Sequence, residues 1–99
     1  RKMTEQRQNE LFNTFINNSY LSPDDTILIN IPPDNDDYFE LIILMTLPKL
    51  SCKNYFLLET IIEHGLINRN GTIWSIIPSS AKHYEELKAL IKEKRYNGK

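Results

Sequence analysis

The chain has 99 residues, a formal net charge of −1 and 40% apolar residues, a composition typical of one soluble globular domain. Its longest apolar run, residues 41–47, is far shorter than the ~20 residues that span a bilayer, so no membrane segment is expected. The single cysteine, Cys52, excludes an intramolecular disulfide and predicts a reducing, cytoplasmic location. Because the chain opens at Arg1 rather than at methionine, we expect residues 1–99 to be a single domain excised from a longer protein.

Charge is unevenly distributed along the chain. Residues 8–48 contain seven acidic side chains and no lysine or arginine, whereas residues 49–99 contain nine basic side chains against five acidic ones. An acidic half beside a basic half can steer a charged partner, or the two halves can pair with each other. The near-neutral total favours two solvated faces of an ordinary domain.

Two helices and a strand are predicted in the first half. The first helix runs from an N-cap at Thr4 to about Asn18, with an apolar stripe at Leu11, Phe12, Phe15 and Ile16. The β-branched residues 26–31 predict a strand that the prolines at 32–33 end. Residues 34–37 then form the acidic start of a helix over residues 38–47, which we expect to be the most buried element.

The second half predicts a helix, a hairpin and a last helix. Ser51 is the expected cap of a helix over residues 51–64, which a left-handed Gly65 ends. Residues 65–78 predict a hairpin whose turn closes at Asn70-Gly71, with Trp74 in the core. A serine at 79 or 80 caps the final helix, and no internal repeat or linker is expected.

The inward stripes of these elements predict the hydrophobic core. The expected core residues are Leu11, Phe15, Ile16, Ile29, Leu41, Ile42, Met45, Leu58, Ile61, Ile62, Ile73, Ile76, Leu87 and Ile91.

The order helix, strand, helix, helix, hairpin, helix resembles the bacterial type of winged helix-turn-helix domain. The resemblance rests on the helix pair 38–47 and 51–64, followed directly by the run GLINRNGTIWSIIP at residues 65–78. It implies an α+β fold with a three-helix core, a short strand, a C-terminal β-hairpin wing and a final helix. It also implies a non-catalytic module of the DNA-binding, transcription-regulator type. The sequence departs from the usual pattern at Ile77-Pro78, where threonine-proline is common.

In such domains the second helix of the pair enters the major groove and the wing touches the backbone. Carried over by this resemblance, the residues that would contact double-stranded DNA are Lys53, Asn54, Phe56, Thr60, Asn68, Arg69 and Asn70. The charge of the domain weighs against this use, because phosphate binding needs a basic surface and Lys53 is opposed by Glu59 and Glu63.

Two alternatives stay open. The domain is equally consistent with an accessory module that packs on a protein partner, on another domain of its own chain or on a second copy in a homodimer. Phe56 favours this alternative, because it lies opposite the inward apolar stripe of the helix over residues 51–64. From Thr26 onward the element order is also that of a KH domain, but the helix–helix loop at residues 47–54 lacks the Gly-x-x-Gly that clamps nucleic acid.

No pattern of catalytic, cofactor or metal-binding residues is present in the sequence, so we predict neither an enzyme nor a cofactor. Cys52 and His64 are expected at opposite ends of one helix, roughly 18 Å apart at ~1.5 Å per residue, too far for a nucleophile and its base. One cysteine and two separated histidines give no zinc-ligand spacing. Residues 34–37 lack the glycine and the final glutamate of a calcium loop, which favours helix capping there.

Overall fold

The computed structural model describes residues 2–97, and the side chains of residues 2–94, so Arg1, Gly98 and Lys99 of the expected domain lie outside it. The described residues form an α+β fold with four helices and four strands. In chain order these are α1 (Glu5–Asn17), β1 (Ser19–Leu21), β2 (Ile27–Ile31), α2 (Tyr38–Met45), α3 (Tyr55–Glu63), β3 (Gly65–Ile67), β4 (Ile73–Ile77) and α4 (Tyr84–Asn97).

The four strands form one antiparallel sheet in the order β1-β2-β4-β3. Side chains alternate between the two faces of a strand, and on β2 and β4 every first, third and fifth residue is buried. These buried residues lie beneath the helices, where α1 contacts β2 and α3 contacts β4. The hydrophobic core therefore lies on one face of the sheet.

Most of the predicted core is confirmed. Ile42, Met45 and Ile62 are partly buried and pack against the core, whereas Ile76 is 52% exposed, so its assignment to the core is wrong. Ile77 is the fully buried neighbour, because a strand turns alternate residues to opposite faces. The predicted residues that are buried are Leu11, Phe15, Ile16, Ile29, Leu41, Leu58, Ile61, Ile73, Leu87 and Ile91.

The molecule contains an internal repeat, so the expectation of none is wrong. β2 begins at Ile27 and β4 begins at Ile73, 46 residues later. The same offset relates the ends of α1 and α3, the bounds of β1 and β3, and the starts of α2 and α4. We refer to residues 11–44 as the first repeat and to residues 57–90 as the second repeat.

The two repeats are also related in sequence. Eleven of the 34 aligned positions are identical. These positions are scattered along the two segments, so the repeat is not evident from the sequence alone. The identical pairs are Leu11/Leu57, Thr14/Thr60, Ile16/Ile62, Thr26/Thr72, Ile27/Ile73, Ile31/Ile77, Pro32/Pro78, Tyr38/Tyr84, Glu40/Glu86, Leu41/Leu87 and Leu44/Leu90.

A pseudo-twofold axis relates the two repeats and passes through the centre of the sheet. In the β2–β4 ladder, Ile29 lies opposite Ser75, which is its own counterpart in the second repeat. The outer pairings match as well, since Ser19 pairs with Ile29 and Gly65 pairs with Ser75. The axis is therefore normal to the sheet and exchanges its two hairpins.

Several predicted boundaries differ from the structure. Thr4 is confirmed as the N-cap of α1, because its Oγ1 accepts a hydrogen bond from the Arg7 amide at 3.1 Å. Strand β1 was not expected, since its three residues are too few for an alternation pattern. Helix α3 begins at Tyr55 with Asn54 before it, so the expected Ser51 cap is wrong.

The burial of α2 and the conformation of Gly65 also differ from expectation. Phe39 is 77% exposed and Ile43 is 51% exposed, so α2 is not the most buried element. Both face away from the core, one helical turn apart. Gly65 begins β3, and in the described residues Gly71 is the glycine with positive φ, at 85°.

Candidate interaction surface

The second face of the sheet is covered by none of the described helices and presents a continuous set of side chains. Because strand residues alternate, this face consists of the positions between the buried ones. We call it the open face, and it comprises Tyr20, Leu28, Asn30, Leu66, Trp74 and Ile76.

Five of the six open-face side chains are apolar or aromatic, and none is charged. Tyr20, Leu66 and Ile76 are about half exposed, at 48%, 56% and 52%. Leu28 and Trp74 lie between them on the two central strands and are partly buried. The expectation that Trp74 belongs to the core is therefore wrong, because its strand position turns it away from the helices.

Cross-strand pairing arranges these residues in two rows. Tyr20 lies opposite Leu28, which lies opposite Ile76 on the other side. In the second row, Trp74 lies between Asn30 and Leu66. The pseudo-twofold axis exchanges the backbone positions of the two rows, although the side chains at the exchanged positions differ.

The two hairpin turns lie at opposite corners of the sheet. Residues 22–26 precede β2, and residues 68–72 precede β4; since Ile27 pairs with Ile77, the two turns are at opposite ends. The first, the acidic turn, carries exposed Asp24 and Asp25; the second, the Arg69 turn, carries exposed Arg69. Pseudo-equivalent corners thus differ in the sign of their charge.

Each turn is held in place by a tyrosine from the opposite repeat. The Tyr84 hydroxyl donates to the Asp25 carbonyl at 2.5 Å, and its pseudo-equivalent Tyr38 donates to the Gly71 carbonyl. Asp25 and Gly71 occupy the same left-handed position, with φ of 68° and 85°. These two bonds fix the corners of the open face relative to the helices.

The acidic turn has a further charged contact. Lys88 Nζ lies 3.1 Å from Asp25 Oδ1, and the hydrogen bonds from Lys88 and Tyr84 lower the pKa of Asp25. Burial, together with the nearby Asp25 carboxylate, raises the pKa of Tyr84 to about 12. Asp25 therefore joins its turn to α4, whereas the Asp24 carboxylate bonds within its own turn, to Ser22 and Thr26.

The residues predicted for the DNA-reading helix fall into two groups. Lys53 is exposed and Asn54 is partly buried, both just before α3, where the Lys53 amide donates to Asn9 Oδ1 at 3.0 Å. Phe56 and Thr60 instead contact the segment before α4. The Phe56 ring packs edge-on against His83 at 4.9 Å between centroids, and buried Thr60 donates to the Lys82 carbonyl at 3.1 Å.

The residues predicted for the wing lie together in the Arg69 turn. Asn68 Oδ1 accepts from the amides of Asn70 and Thr72, at 2.9 and 3.0 Å, which builds the turn. Arg69 and Asn70 are exposed. Helix α3 and strand β3 separate this turn along the chain from Lys53 and Asn54.

A charged cluster joins α1 to the start of α2. The Arg7 guanidinium contacts Glu10 at 2.8 Å, Asp37 at 2.9 Å and Glu40. The Thr14 hydroxyl and Arg7 lower the pKa of Asp37, and Arg7 lowers that of Glu40. Asp37 makes no side-chain cap bond, so here the acidic entrance predicted for α2 acts by pairing with α1.

The thiol and imidazole groups take part in packing. Cys52 is 2% exposed, and burial raises the pKa of its thiol. His64 Nδ1 lies 2.9 Å from the Thr60 carbonyl. Within the part of the chain that the structure describes, no group of three or more histidine, cysteine or acidic side chains is arranged to hold a metal ion.

The open face was not found from the sequence, although a signal for it exists. Strands with one solvated face normally alternate apolar and polar residues, whereas residues 27–31 and 73–77 are apolar on both faces except at Asn30 and Ser75. Apolar residues on both faces indicate that the second face is also covered or is an interface.

Comparisons with known proteins identify no relative of this chain. No protein-family model, no curated protein and no solved structure matches this chain. Among the described helices, none combines the length and the apolarity needed to cross a bilayer.

Proposed function

We propose that this chain is a non-catalytic interaction module whose binding surface is the open face of the sheet. The observation that carries the proposal is a face of six uncharged side chains, five of them apolar, on a sheet whose other face holds the core. Exposed apolar patches of this kind mark interaction sites, because covering them removes apolar area from water at ~25 cal/mol per Å². Tyr20 and Trp74 are residue types enriched at the centres of interfaces.

A protein surface suits this face better than nucleic acid does. Binding to phosphates depends on lysine and arginine, and the open face has neither. Arg69 is the basic residue in its bordering turns, and the acidic turn at the opposite corner repels phosphate. A single cysteine cannot form an intramolecular disulfide, which fits a reducing compartment and supports a cytoplasmic site of action.

The test is site-specific photo-crosslinking in the cells that make the protein. A photoreactive phenylalanine analogue at Leu66, on the open face, is compared with the same analogue at Glu85, an exposed position on α4. We expect Leu66 to yield a discrete protein adduct that the additional substitution Ile76→Lys removes, and Glu85 to yield none. Equal adducts from both sites, or none from Leu66, would contradict the proposal.

The second candidate is a winged-helix module that binds double-stranded DNA. It is supported by the helix pair α2–α3 followed directly by the β3–β4 hairpin, and by the position of β4 between β2 and β3. Lys53, just before α3, and Arg69, in the hairpin turn, are both exposed and so accessible to a duplex. The buried Thr60 hydroxyl, already bonded to Lys82, weighs against this use of α3.

A duplex titration at two salt concentrations separates the candidates. A DNA-binding module that neutralises about three or four phosphates would show a log–log salt slope of about −3 to −4. Its affinity would fall in both Lys53→Glu and Arg69→Glu. For an interaction module, we expect no salt-dependent binding and no difference between these variants and the wild type.

A further inference from the structure

We propose that the partner of the open face is a second copy of this chain, packed face to face so that each acidic turn lies over the Arg69 turn of the other copy. This inference rests on the proposed function, since it names the occupant of the same surface. It follows from three properties of the open face: its self-complementary charges, its pseudo-twofold symmetry and the shortness of the sheet edges.

The first property is charge complementarity. A symmetric dimer buries the same patch on both subunits, so the patch must be complementary to itself. The open face meets this condition, because the corner beside Asp24 is acidic and the diagonally opposite corner beside Arg69 is basic. Two corners of one sign would instead repel in both arrangements that place a charged corner over a charged corner.

The pseudo-twofold axis makes the orientation a specific prediction. Since the backbone positions of the two rows exchange under a half turn, two face-to-face arrangements related by that half turn cover the same six open-face residues. One places acidic turn over acidic turn and Arg69 over Arg69. The other places Asp24 of each copy over Arg69 of the other, and attraction between unlike charges selects it.

The sheet edges are less suitable for association. β1 and β3 are the edge strands and each has three residues, so pairing along an edge offers few backbone hydrogen bonds. Packing between faces uses the whole sheet and leaves these edges unchanged, as in two-layer sandwiches with sheets ~10 Å apart.

The size of the face sets the expected affinity. Four strands ~4.8 Å apart and up to five residues long give a footprint of roughly 320 Å². Stable interfaces bury about 800 Å² per partner, so the predicted dimer is weak, with a dissociation constant on the order of 10–100 μM.

The experiment measures association and the environment of Trp74 together. Trp74 is the single tryptophan and lies on the open face, so its emission reports directly on this surface. Over roughly 1 μM to 1 mM protein, we expect sedimentation equilibrium to show a monomer–dimer transition, and the Trp74 emission to shift to shorter wavelength over the same range. Leu66→Lys removes both changes, and Phe39→Ser, an exposed α2 position, leaves both.

Charge reversal tests the orientation. Asp24→Arg and Arg69→Asp each place like charges at both corners of the homodimer, and at low salt we expect each to weaken association about three- to tenfold. An equimolar mixture of the two variants, and the double variant in one chain, restore unlike pairs and wild-type affinity. Far-UV circular dichroism of each variant confirms that the fold is retained.

The outcomes separate this inference from the proposed function. If the chain is monomeric to 1 mM and the analogue at Leu66 still crosslinks to a different protein, the proposal that the partner is a second copy is wrong. The proposed function as an interaction module then stands. A chain that is monomeric and gives no adduct overturns both. A dimer that Leu66→Lys removes but charge reversal does not weaken overturns the proposed orientation.

Discussion

The two repeats share a backbone and differ in their surfaces. Each ends its first helix, pairs its two strands and starts its second helix at the same relative positions. The counterparts of the exposed Phe39 and Ile43 in the second repeat are Glu85 and Ala89, and the counterparts of Asp24 and Asp25 are Asn70 and Gly71. Several leucines and isoleucines that pack in the core are identical in the two repeats, so core packing determines the shared backbone. The turns and the outer helix faces make few core contacts, and their residues differ in size and charge.

The largest expected effect on stability comes from a pair of equivalent leucines that are buried to different extents in the two repeats. Leu44 is fully buried, whereas its counterpart Leu90 is partly buried. We expect Leu44→Ala to lower the free energy of unfolding by about 3–5 kcal/mol, because it leaves a cavity, and Leu90→Ala by about 1–2 kcal/mol. Urea denaturation measures both. Equal losses would show that the two helices pack alike and that burial does not distinguish them.

The tyrosines that hold the turns provide a second contrast. Tyr84 is 2% exposed and its single hydroxyl proton is shared between the carbonyl and the carboxylate of Asp25, whereas the partly buried Tyr38 donates to the Gly71 carbonyl. We expect Tyr84→Phe to cost about 1.5–3 kcal/mol, because one acceptor is charged, and Tyr38→Phe about 0.5–1.5 kcal/mol. The reverse order in thermal or urea unfolding would contradict the assignment of these bonds.

The left-handed turn position predicts a similar but smaller cost. Gly71 has φ of 85°, and a Cβ there would lie 3.2 Å from Pro33 Cγ. We expect Gly71→Ala to cost about 1–2 kcal/mol, since an L-residue is strained in this conformation. Asn70→Ala, at the exposed neighbouring position, is the control and should change stability by less than about 0.5 kcal/mol. A stability of Gly71→Ala within that range would remove the strain argument.

The smallest effect is a loss of stability at alkaline pH in the second repeat. An unfolded tyrosine has a pKa near ~10, whereas the pKa of Tyr84 in the fold is raised to about 12. A raised folded pKa contributes stability that is complete below the unfolded value, so this contribution is lost as pH rises from about 10 to about 12. Tyr84→Phe should therefore unfold with a shallower dependence on pH in this window, and identical slopes would contradict it.

Local sequence signals predicted most of the fold. The helical stripe of α1, the β-branched run of β2 and the Asn70-Gly71 turn each specify structure within a few residues, and all three are present. Strand β1 and the true start of α3 are decided by longer-range contacts. Tyr20 pairs with Leu28 across the acidic turn, and the amides of Ser51 and Lys53 are bonded to Gln8 and Asn9 of α1.

The candidate site could not be predicted from the same signals. A strand with apolar residues on both faces does not show which face the helices cover, so the sequence pattern alone places Ile76 and Trp74 in the core, where the structure does not. Only the arrangement of all four helices on one side leaves the other side open. The repeat had a sequence signal at an offset of 46 residues, but its identical positions are separated, because the surface positions between them differ.

The most direct test of the proposed interaction surface maps which residues respond to association. Methyl and amide NMR spectra of the chain are compared at roughly 10 μM and 1 mM protein, on either side of the expected dissociation constant. We expect chemical-shift changes confined to the open face and its two turns, with Leu28 and Trp74 at their centre. Changes centred instead on Phe39 and Ile43 of α2, or no changes at all, would contradict the claim that the open face is the interaction surface.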